Sequence, residues 1–474
     1  MNLSDTGAST LMDYEYASIV QHRTKNIHYL DYGALPSEAA TSKRFKQMQM
    51  KEPMILCHRP PGATAIPVTL IHPVFGEFVD NCSNIIPTDA DYDLVNSLSQ
   101  EMADLYEEED KRKHKFLSIV EEYYKVQFST QIRDTKYTTD GNLRQGDFFY
   151  VNVEVKNELG SGGAEPNIQS AYYYVEFVRS HSKNYPQSPL PCLHICLAGM
   201  TLHRIFWLIS SKKVQMDPLT PLVSFAFHPR DTQMRMMVAR MFAAFRVAID
   251  QLKAYYKRMS DVRDQPGKNL PIPESQYPYK HCYHNGNTND QFVYFKYMSQ
   301  IADRLVFIAE TESQETIIVK FSRTYSKETH ELCASKGFAP VLRAYEDVCG
   351  GWHMVIMDYM KAEEYLPYYL RSDKQYSFPD PNILQKRFTE IVQTLHAEDY
   401  VHGDIRDSNF IVKIDGTGVM LLDFDWAGKE GIVHYPIDIN CSTVERPPEV
   451  KSGAPIKKQH DLDMLNIMFR GSNL

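Results

Sequence analysis

The chain has no apolar run of the length a bilayer requires; its most apolar short stretches, Phe206 to Ile209 and Met354 to Met357, are the size of strands. Its N-terminus, Met1 to Arg23, is polar and acidic, without the basic start and apolar h-region of a secretory signal. The eight cysteines, at positions 57, 82, 192, 196, 282, 333, 349 and 441, are scattered and make no disulfide framework, so they read as reduced thiols. Together these absences argue against a conventional secretory route and predict an intracellular protein, cytoplasmic or nuclear, with no membrane partner. An excess of positive charge is also missing: the net charge is -9, so any contact with nucleic acid must be local. Internal repeats and low-complexity tracts are absent as well.

What is present is ample for folded domains. The 474 residues are 43% hydrophobic, 23% charged and 12% aromatic, which supports real cores in roughly two to four domains. Residues 1–50 show little periodicity and read as a loosely ordered lead-in. Asp91 to Lys125 reads as one long helix or two adjacent ones, interrupted by the charge run Glu107 to Lys113, which is expected to be a solvated face. Thr135 to Asp140 predicts a strand, Gly141 to Asp147 a turn, and Phe148 to Lys156 a strand with clean alternation. A helix over Asn167 to Ser180, strands at Cys192 to Ala198, Leu202 to Ile209 and Leu222 to Phe227, and an amphipathic helix over Thr232 to Met259 follow. Cys192 and Cys196 flank His194, but the alternating Leu193, Ile195 and Leu197 favour a buried strand over a metal site. Pro266, Pro271, Pro273 and Pro278 mark residues 260–280 as a linker. Beyond it, strands are expected at 291–297, 305–309, 316–321, 341–346 and 352–358, with helices at 327–336 and 388–398.

Two constellations carry chemistry. The first is His402-Gly403-Asp404-Ile405-Arg406-Asp407-Ser408-Asn409 followed by Leu421-Leu422-Asp423-Phe424-Asp425. One Asp stands five positions before an Asn, and a second Asp ends an apolar run. Phosphoryl transfer needs such a set, one carboxylate at the acceptor hydroxyl and an amide oxygen with a second carboxylate on Mg²⁺. The second constellation is Asp140, then Glu154-Val155-Lys156. Glu and Lys two apart on a strand share a face beside a carboxylate of the paired strand, and two carboxylates can hold Mg²⁺ or Mn²⁺ against a phosphodiester while the lysine positions water. Gln169 and Tyr173 lie one helical turn apart downstream. Asp147 is the alternative first acid, and Glu109 a candidate helper carboxylate.

The first set resembles the protein-kinase catalytic loop and metal-binding motif, with Asp425 where the family has glycine. By that resemblance Asp404 would accept the hydroxyl proton, Asn409 and Asp423 would hold the metal, and Arg406 would balance charge near the γ-phosphate. Lys320, ending Ile317-Ile318-Val319-Lys320, would contact ATP, braced by Glu328 in preference to Glu331. Met357, Asp358 and Tyr359 would hold adenine, and His460-Asp461-Leu462-Asp463 would anchor the catalytic loop. The segment Met298 to Arg304 lacks a glycine-rich phosphate loop, and no A-P-E-like segment follows Asp423. The second set resembles the PD-(D/E)XK nuclease superfamily. The combination resembles fungal kinase-like proteins related to Crinkler-type effectors.

The resemblances imply a multidomain α+β and α/β protein. A PD-(D/E)XK-like α/β core at 51–259 would precede a two-lobed protein kinase-like fold at 281–474, with an N-lobe at about 281–358 and a short C-lobe at about 359–474. The leading expectation is an ATP- and Mg²⁺-dependent phosphotransferase of the Ser/Thr kinase type acting on a protein or small molecule. A pseudokinase scaffold, or a nuclease acting on DNA or RNA with an accessory kinase lobe, are the alternatives.

Overall fold

The computed structural model describes residues 34–51, 53, 55–160, 163–181, 188–210, 213–228, 230–263, 276–285, 291–302 and 304–470. The chain divides into two compact units, Met1–Lys280 and His281–Leu474.

Unit 1 starts with α1 (Pro36–Ala39), α2 (Ser42–Lys51), β1 (Ile55–Leu56), α3 (Val68–Ile71) and α4 (Pro73–Asn84). Residues 36–51, expected as part of a loose lead-in, are therefore helical. Phe45 and Gln49 are buried, and the Gln49 amide donates to the carbonyls of Ile55 and Arg59, both at 2.7 Å. A buried polar anchor leaves no apolar period to read. Next come α5 (Asp89–Met102), α6 (Glu109–Tyr124), β2 (Ser129–Gln131), β3 (Thr138–Gln145) and β4 (Phe148–Lys156). Thr88 and Asp91 close a reciprocal capping box on α5, which starts that helix where its apolar stripe begins. The expected turn at 141–147 is mostly strand: β3 runs to Gln145, with Leu143 buried, and only Gly146 and Asp147 turn. Its glycine and polar residues resemble turn chemistry, but pairing with β4 outweighs that preference.

The remaining elements of unit 1 are α7 (Pro166–His181), β5 (Cys192–Ala198), β6 (Thr201–Ser210), β7 (Val214–Pro218), β8 (Val223–Ser224) and α8 (Thr232–Arg263). The sheet order is β1-β7-β6-β5-β4-β3-β2, with β8 on β6. β4 and β5 are parallel, and α7 makes the crossover between them. β5 is buried along its whole length, as its alternating apolar residues imply. The expected strand at 222–227 shrinks to β8. β7 was not anticipated, because its buried Gln215 reads as surface; its amide is satisfied by the Ile66 carbonyl at 2.8 Å and Asp217 at 2.9 Å. α8 runs four residues past the expected Met259. The proline-rich stretch at 264–275 lies outside the described residues, and Tyr279 donates its N–H to Leu70 at 2.8 Å within unit 1.

Unit 2 opens with β9 (Cys282–Asn285), β10 (Gln291–Gln300), β11 (Val306–Thr311), β12 (Thr316–Ser322), α9 (Lys327–Ser335), β13 (Leu342–Val348) and β14 (Trp352–Asp358). These form one antiparallel sheet in the order β13-β14-β12-β11-β10-β9. Then follow β15 (Tyr365–Pro367), a 3₁₀ turn (Tyr368–Ser372), α10 (Pro381–Ala397), β16 (Tyr400–Val401), a 3₁₀ turn (Asp407–Asn409), β17 (Phe410–Lys413), β18 (Val419–Leu421), β19 (Gly428–Lys429) and α11 (Lys458–Phe469). α10 starts earlier than expected, at Pro381, with Asp380 capping Asn382 N–H at 2.8 Å and proline at the first helical position. Its inward face, Leu384, Phe388, Ile391, Val392 and Leu395, joins Phe410, Leu421 and Phe424 in one core. That core fixes the backs of the two polar motifs.

Phe388 is fully buried, stacked on Phe410 at 4.1 Å between ring centroids and edge-on to Tyr368 at 4.9 Å. Phe388→Ala should therefore cost about 3–5 kcal/mol of unit 2 stability. Guanidinium unfolding would check this; an unchanged midpoint would remove Phe388 from the load on that core.

Candidate functional site

The His402 and Asp423 motifs are held together by a two-residue ladder. β16 pairs with β19, Val401 opposite Gly428, so residues 402–427 form a loop closed at its base. Gly403 has φ 81°, and a Cβ there would sit 2.8 Å from Ile456 Cδ1, so glycine is required. The fully buried Asp461, in the first turn of α11, accepts hydrogen bonds from the backbone N–H of His402 at 2.9 Å and of Gly403 at 2.8 Å. His396 Nε2 adds a contact at 3.1 Å. His402 Nε2 faces the Leu422 carbonyl at 3.1 Å, and its Nδ1 accepts from Asp404 N–H at 3.2 Å. This side chain joins the two motifs.

Asp404 is 5% exposed and has three partners. Arg446 Nη2 donates to Oδ1 at 2.8 Å, Asn409 Nδ2 donates to Oδ2 at 2.8 Å, and Arg406 Nε lies 2.9 Å from Oδ2. Asn409 Nδ2 also donates to the Asp404 carbonyl at 2.9 Å, which turns its amide oxygen away from Asp404. The Asn409 carbonyl accepts from Leu422 N–H at 2.8 Å, which brings Asn409 beside Asp423. Asp423 has φ 70°, a left-handed conformation that costs a non-glycine residue about 1–2 kcal/mol.

Lys320 reaches this group from β12, 103 residues earlier, with Nζ 2.5 Å from Asp423 Oδ1. It also lies 2.6 Å from Asp425 Oδ1. Burial pulls the Lys320 ammonium down, but the two carboxylates outweigh it and hold it above its ordinary value. Against the upward push of burial, Lys320 holds the Asp423 carboxyl below the usual range. Burial dominates at Asp425 and pushes it up to about 6.

Several expectations change. Glu328 is exposed on α9 and does not brace Lys320; Glu331 pairs instead with Lys327 at 3.7 Å. The inward residues of α9 are Thr329, His330 and Cys333, with His330 stacked on Phe424 at 4.7 Å. Met357 and Asp358 remain in β14; the Asp358 N–H is used by the Val341 carbonyl at 3.0 Å and its carboxylate by Arg343 at 2.5 Å. Tyr359 follows, half-buried, just outside the strand. The β10–β11 connection is a hairpin without glycine, in which Ile301 N–H donates to Val306 at 2.8 Å and Ala302 takes φ 50°. Arg446, 4% exposed in its side chain, was missed. It opens Arg446-Pro447-Pro448-Glu449, and Glu449 pairs with Lys457 at 3.2 Å.

Unit 1 brings its own predicted residues together. Glu154 is 1% exposed, and Lys156 Nζ donates to its Oε1 at 2.8 Å. Asp140 Oδ2 accepts from Val155 N–H at 2.8 Å, and Lys113 lies 3.7 Å from its Oδ1. Glu109 is 3.6 Å from Lys156 and accepts from Asn157 N–H at 3.3 Å. Gln169 contacts the Tyr173 hydroxyl at 3.5 Å, and the Tyr173 hydroxyl is raised by burial and by Glu154. Asp147 is elsewhere, paired with Arg133. The Glu107 to Lys113 run is thus not simply a solvated face. Arg112 is 1% exposed, donating to the Met102 carbonyl at 2.8 Å and pairing with Glu158 at 3.0 Å. That anchor aims Glu109 and Lys113, one turn apart on α6, at the end of β4. Burial, and then Asp140, push Glu154 up to about 8. Among the described residues no group of three or more His, Cys, Asp or Glu stands in a metal-holding arrangement.

No protein-family model matches the chain, and no curated protein matches it. Among solved structures the chain is similar to the Cydia pomonella Granulovirus kinase, PK-1, at 15% identity and TM-score 0.31, over 37% of this chain and 68% of that one. It is also similar to vaccinia related kinase 3, at 13% identity and TM-score 0.30, over 40% of this chain and 65% of that one. No helix among the described residues is long and apolar enough to cross a membrane.

Glu154 sets a pH dependence for unit 1. Its carboxyl lies at about 8 in the fold against 4.5 ordinarily, so its contribution to stability is complete below pH 4.5 and is lost as pH rises through about 8. Denaturation midpoints between these limits should fall with pH in the wild type and fall less in E154Q. Parallel slopes for the two proteins would rule this out.

Proposed function

We propose that unit 2 is a divergent Mg²⁺-ATP-dependent phosphotransferase of the Ser/Thr protein kinase type. The observation that carries the reading is the meeting of Lys320 with Asp423, 2.5 Å apart, on a site where Asn409 holds Asp404 at 2.8 Å. Asp404 takes the proton of the acceptor hydroxyl, held in place by Arg446, Arg406 and Asn409. Lys320 orients the nucleotide phosphates, and Arg406 offsets charge toward the transferred phosphoryl group. Asp423 and the amide oxygen of Asn409 would hold Mg²⁺; these are hard oxygen donors, and that oxygen is turned away from Asp404. When bound, Mg²⁺ supplies neutralisation of the phosphate oxygens. The acceptor is a hydroxyl of a protein or a small molecule.

Unit 1 supports a second reading, a metal-dependent nuclease of PD-(D/E)XK type acting on DNA or RNA. It rests on Asp140, Glu154 and Lys156 sharing one end of the β3–β4 pair, with Glu109 and Tyr173 beside them. The donors suit Mg²⁺ or Mn²⁺ in kind, and Lys156 would position the attacking water.

Purified protein with labelled ATP and Mg²⁺ tests the first reading. Transfer to an acceptor or to the protein itself should fall by roughly 10²–10⁴ in D404A, the range for losing a general base. Label incorporation equal in both would exclude Asp404 from the chemistry, and Mg-ATP binding without transfer by the wild type would leave a nucleotide-binding scaffold. For the second reading, Mg²⁺- or Mn²⁺-dependent cleavage of DNA or RNA should disappear in E154A/K156A. Substrate left intact by the wild type, or cut equally by the variant, would refute it.

A further inference from the structure

Lys320 is 9% exposed, and an ammonium buried to that degree needs carboxylate partners. Helix α9 supplies none. Glu328 is exposed, and Glu331 is 52% exposed and turned to Lys327. The buried residues of α9 are Thr329, His330 and Cys333. Both ring nitrogens of His330 are engaged, Nδ1 with the Tyr325 hydroxyl at 2.7 Å and Nε2 with the Pro340 carbonyl at 2.8 Å. The face that α9 turns inward is therefore without a carboxylate. The partners come instead from the segment after β18, where Asp423 and Asp425 both reach Lys320 Nζ.

We propose that Asp425 is the positioning carboxylate of Lys320, doing from within the Asp423–Asp425 segment what a glutamate of α9 was expected to do. The inference deepens the nucleotide-site reading and rests on it. Two carboxylates share one ammonium, Asp423 at 2.5 Å and Asp425 at 2.6 Å. In that reading Asp423 would hold the cation, and Asp425 would remain as the carboxylate that keeps Lys320 in place. Phe424, between them, is 1% exposed and packed on His330, so the two carboxylates project from one buried anchor. Lysine and metal ligand are thus set by a single segment, and a shift of α9 does not by itself release the lysine.

The test uses the full chain, wild type and the variants D425N, E328Q, E331Q and E328Q/E331Q. Acetylation of Lys320 by acetic anhydride, read by mass spectrometry without nucleotide, reports its protection. A fluorescent ATP analogue with Mg²⁺ reports affinity. D425N should raise Lys320 acetylation and weaken Mg-nucleotide binding, each by roughly tenfold, the scale of losing one neighbouring opposite charge. The three glutamate variants should match the wild type in both measurements. Wild-type protection in D425N, or its effect reproduced by E328Q or E331Q, would overturn the proposal. If D425N shows no melting transition, the double variant decides, because it changes only exposed side chains: protection supports Asp425, and exposure of Lys320 overturns it. If the wild type binds no Mg-ATP, the phosphotransferase reading fails while the acetylation comparison still decides the brace.

Discussion

A single carboxylate with no solvent exposure, Asp461, carries the geometry of unit 2. It accepts the backbone N–H groups of His402 and Gly403, which the left-handed Gly403 presents toward α11. Hydrogen bonds to a charged acceptor are each worth about 1.5–3 kcal/mol, and a buried N–H left alone costs a similar amount, so this position is strongly over-determined. The first turn of α11 also favours an acidic residue through the helix dipole. With the loop held there, the His402 ring spans to Leu422, and Asp404 and Asn409 follow at fixed separations.

Buried charge is managed alike in the two units. A lysine near the end of a strand sits among carboxylates, Lys320 with Asp423 and Asp425, Lys156 with Glu154 and Glu109. Desolvation works against Lys320, Asp423, Asp425, Lys156 and Glu154, and mutual proximity of opposite charges offsets it. The balance differs, however. In unit 2 both carboxylates touch the same ammonium. In unit 1 Glu154 is deeper, Asp140 adds repulsion, and the carboxyl rises to about 8. A carboxyl set that high near neutral pH is suited to exchanging protons, whereas Asp423, held low, is suited to remaining an anion.

Much of this was legible because spacing along the chain is local. Asp404 and Asn409 lie on one turn of loop, and Glu154 and Lys156 alternate on one strand, so their proximity follows from backbone periods alone. The strand that carries Lys320 was equally plain from its apolar run. What failed depended on rotation or on distant partners. The phase of α9 is decided by His330 stacking on Phe424, a contact between residues 94 positions apart in sequence, and nothing within Tyr325 to Ala334 reveals it. Lys113 was hidden, and Glu109 was legible only as a candidate helper, in a charge run whose orientation depends on burying Arg112, a residue type rarely found inside. Arg446 was invisible because its partner, Asp404, is brought to it only by the fold.

Asp425 illustrates how one residue organises its surroundings. Asp423 is in a left-handed conformation, Phe424 is buried, and Asp425 emerges on the Lys320 side. A glycine at 425 would let the segment turn freely but would leave Lys320 with Asp423 alone. The aspartate gives up that freedom and supplies a second anion. A pair of carboxylates facing one ammonium cannot both be relieved by it alone; after Lys320, the charge of Arg406 also helps hold Asp423 low, while burial raises Asp425.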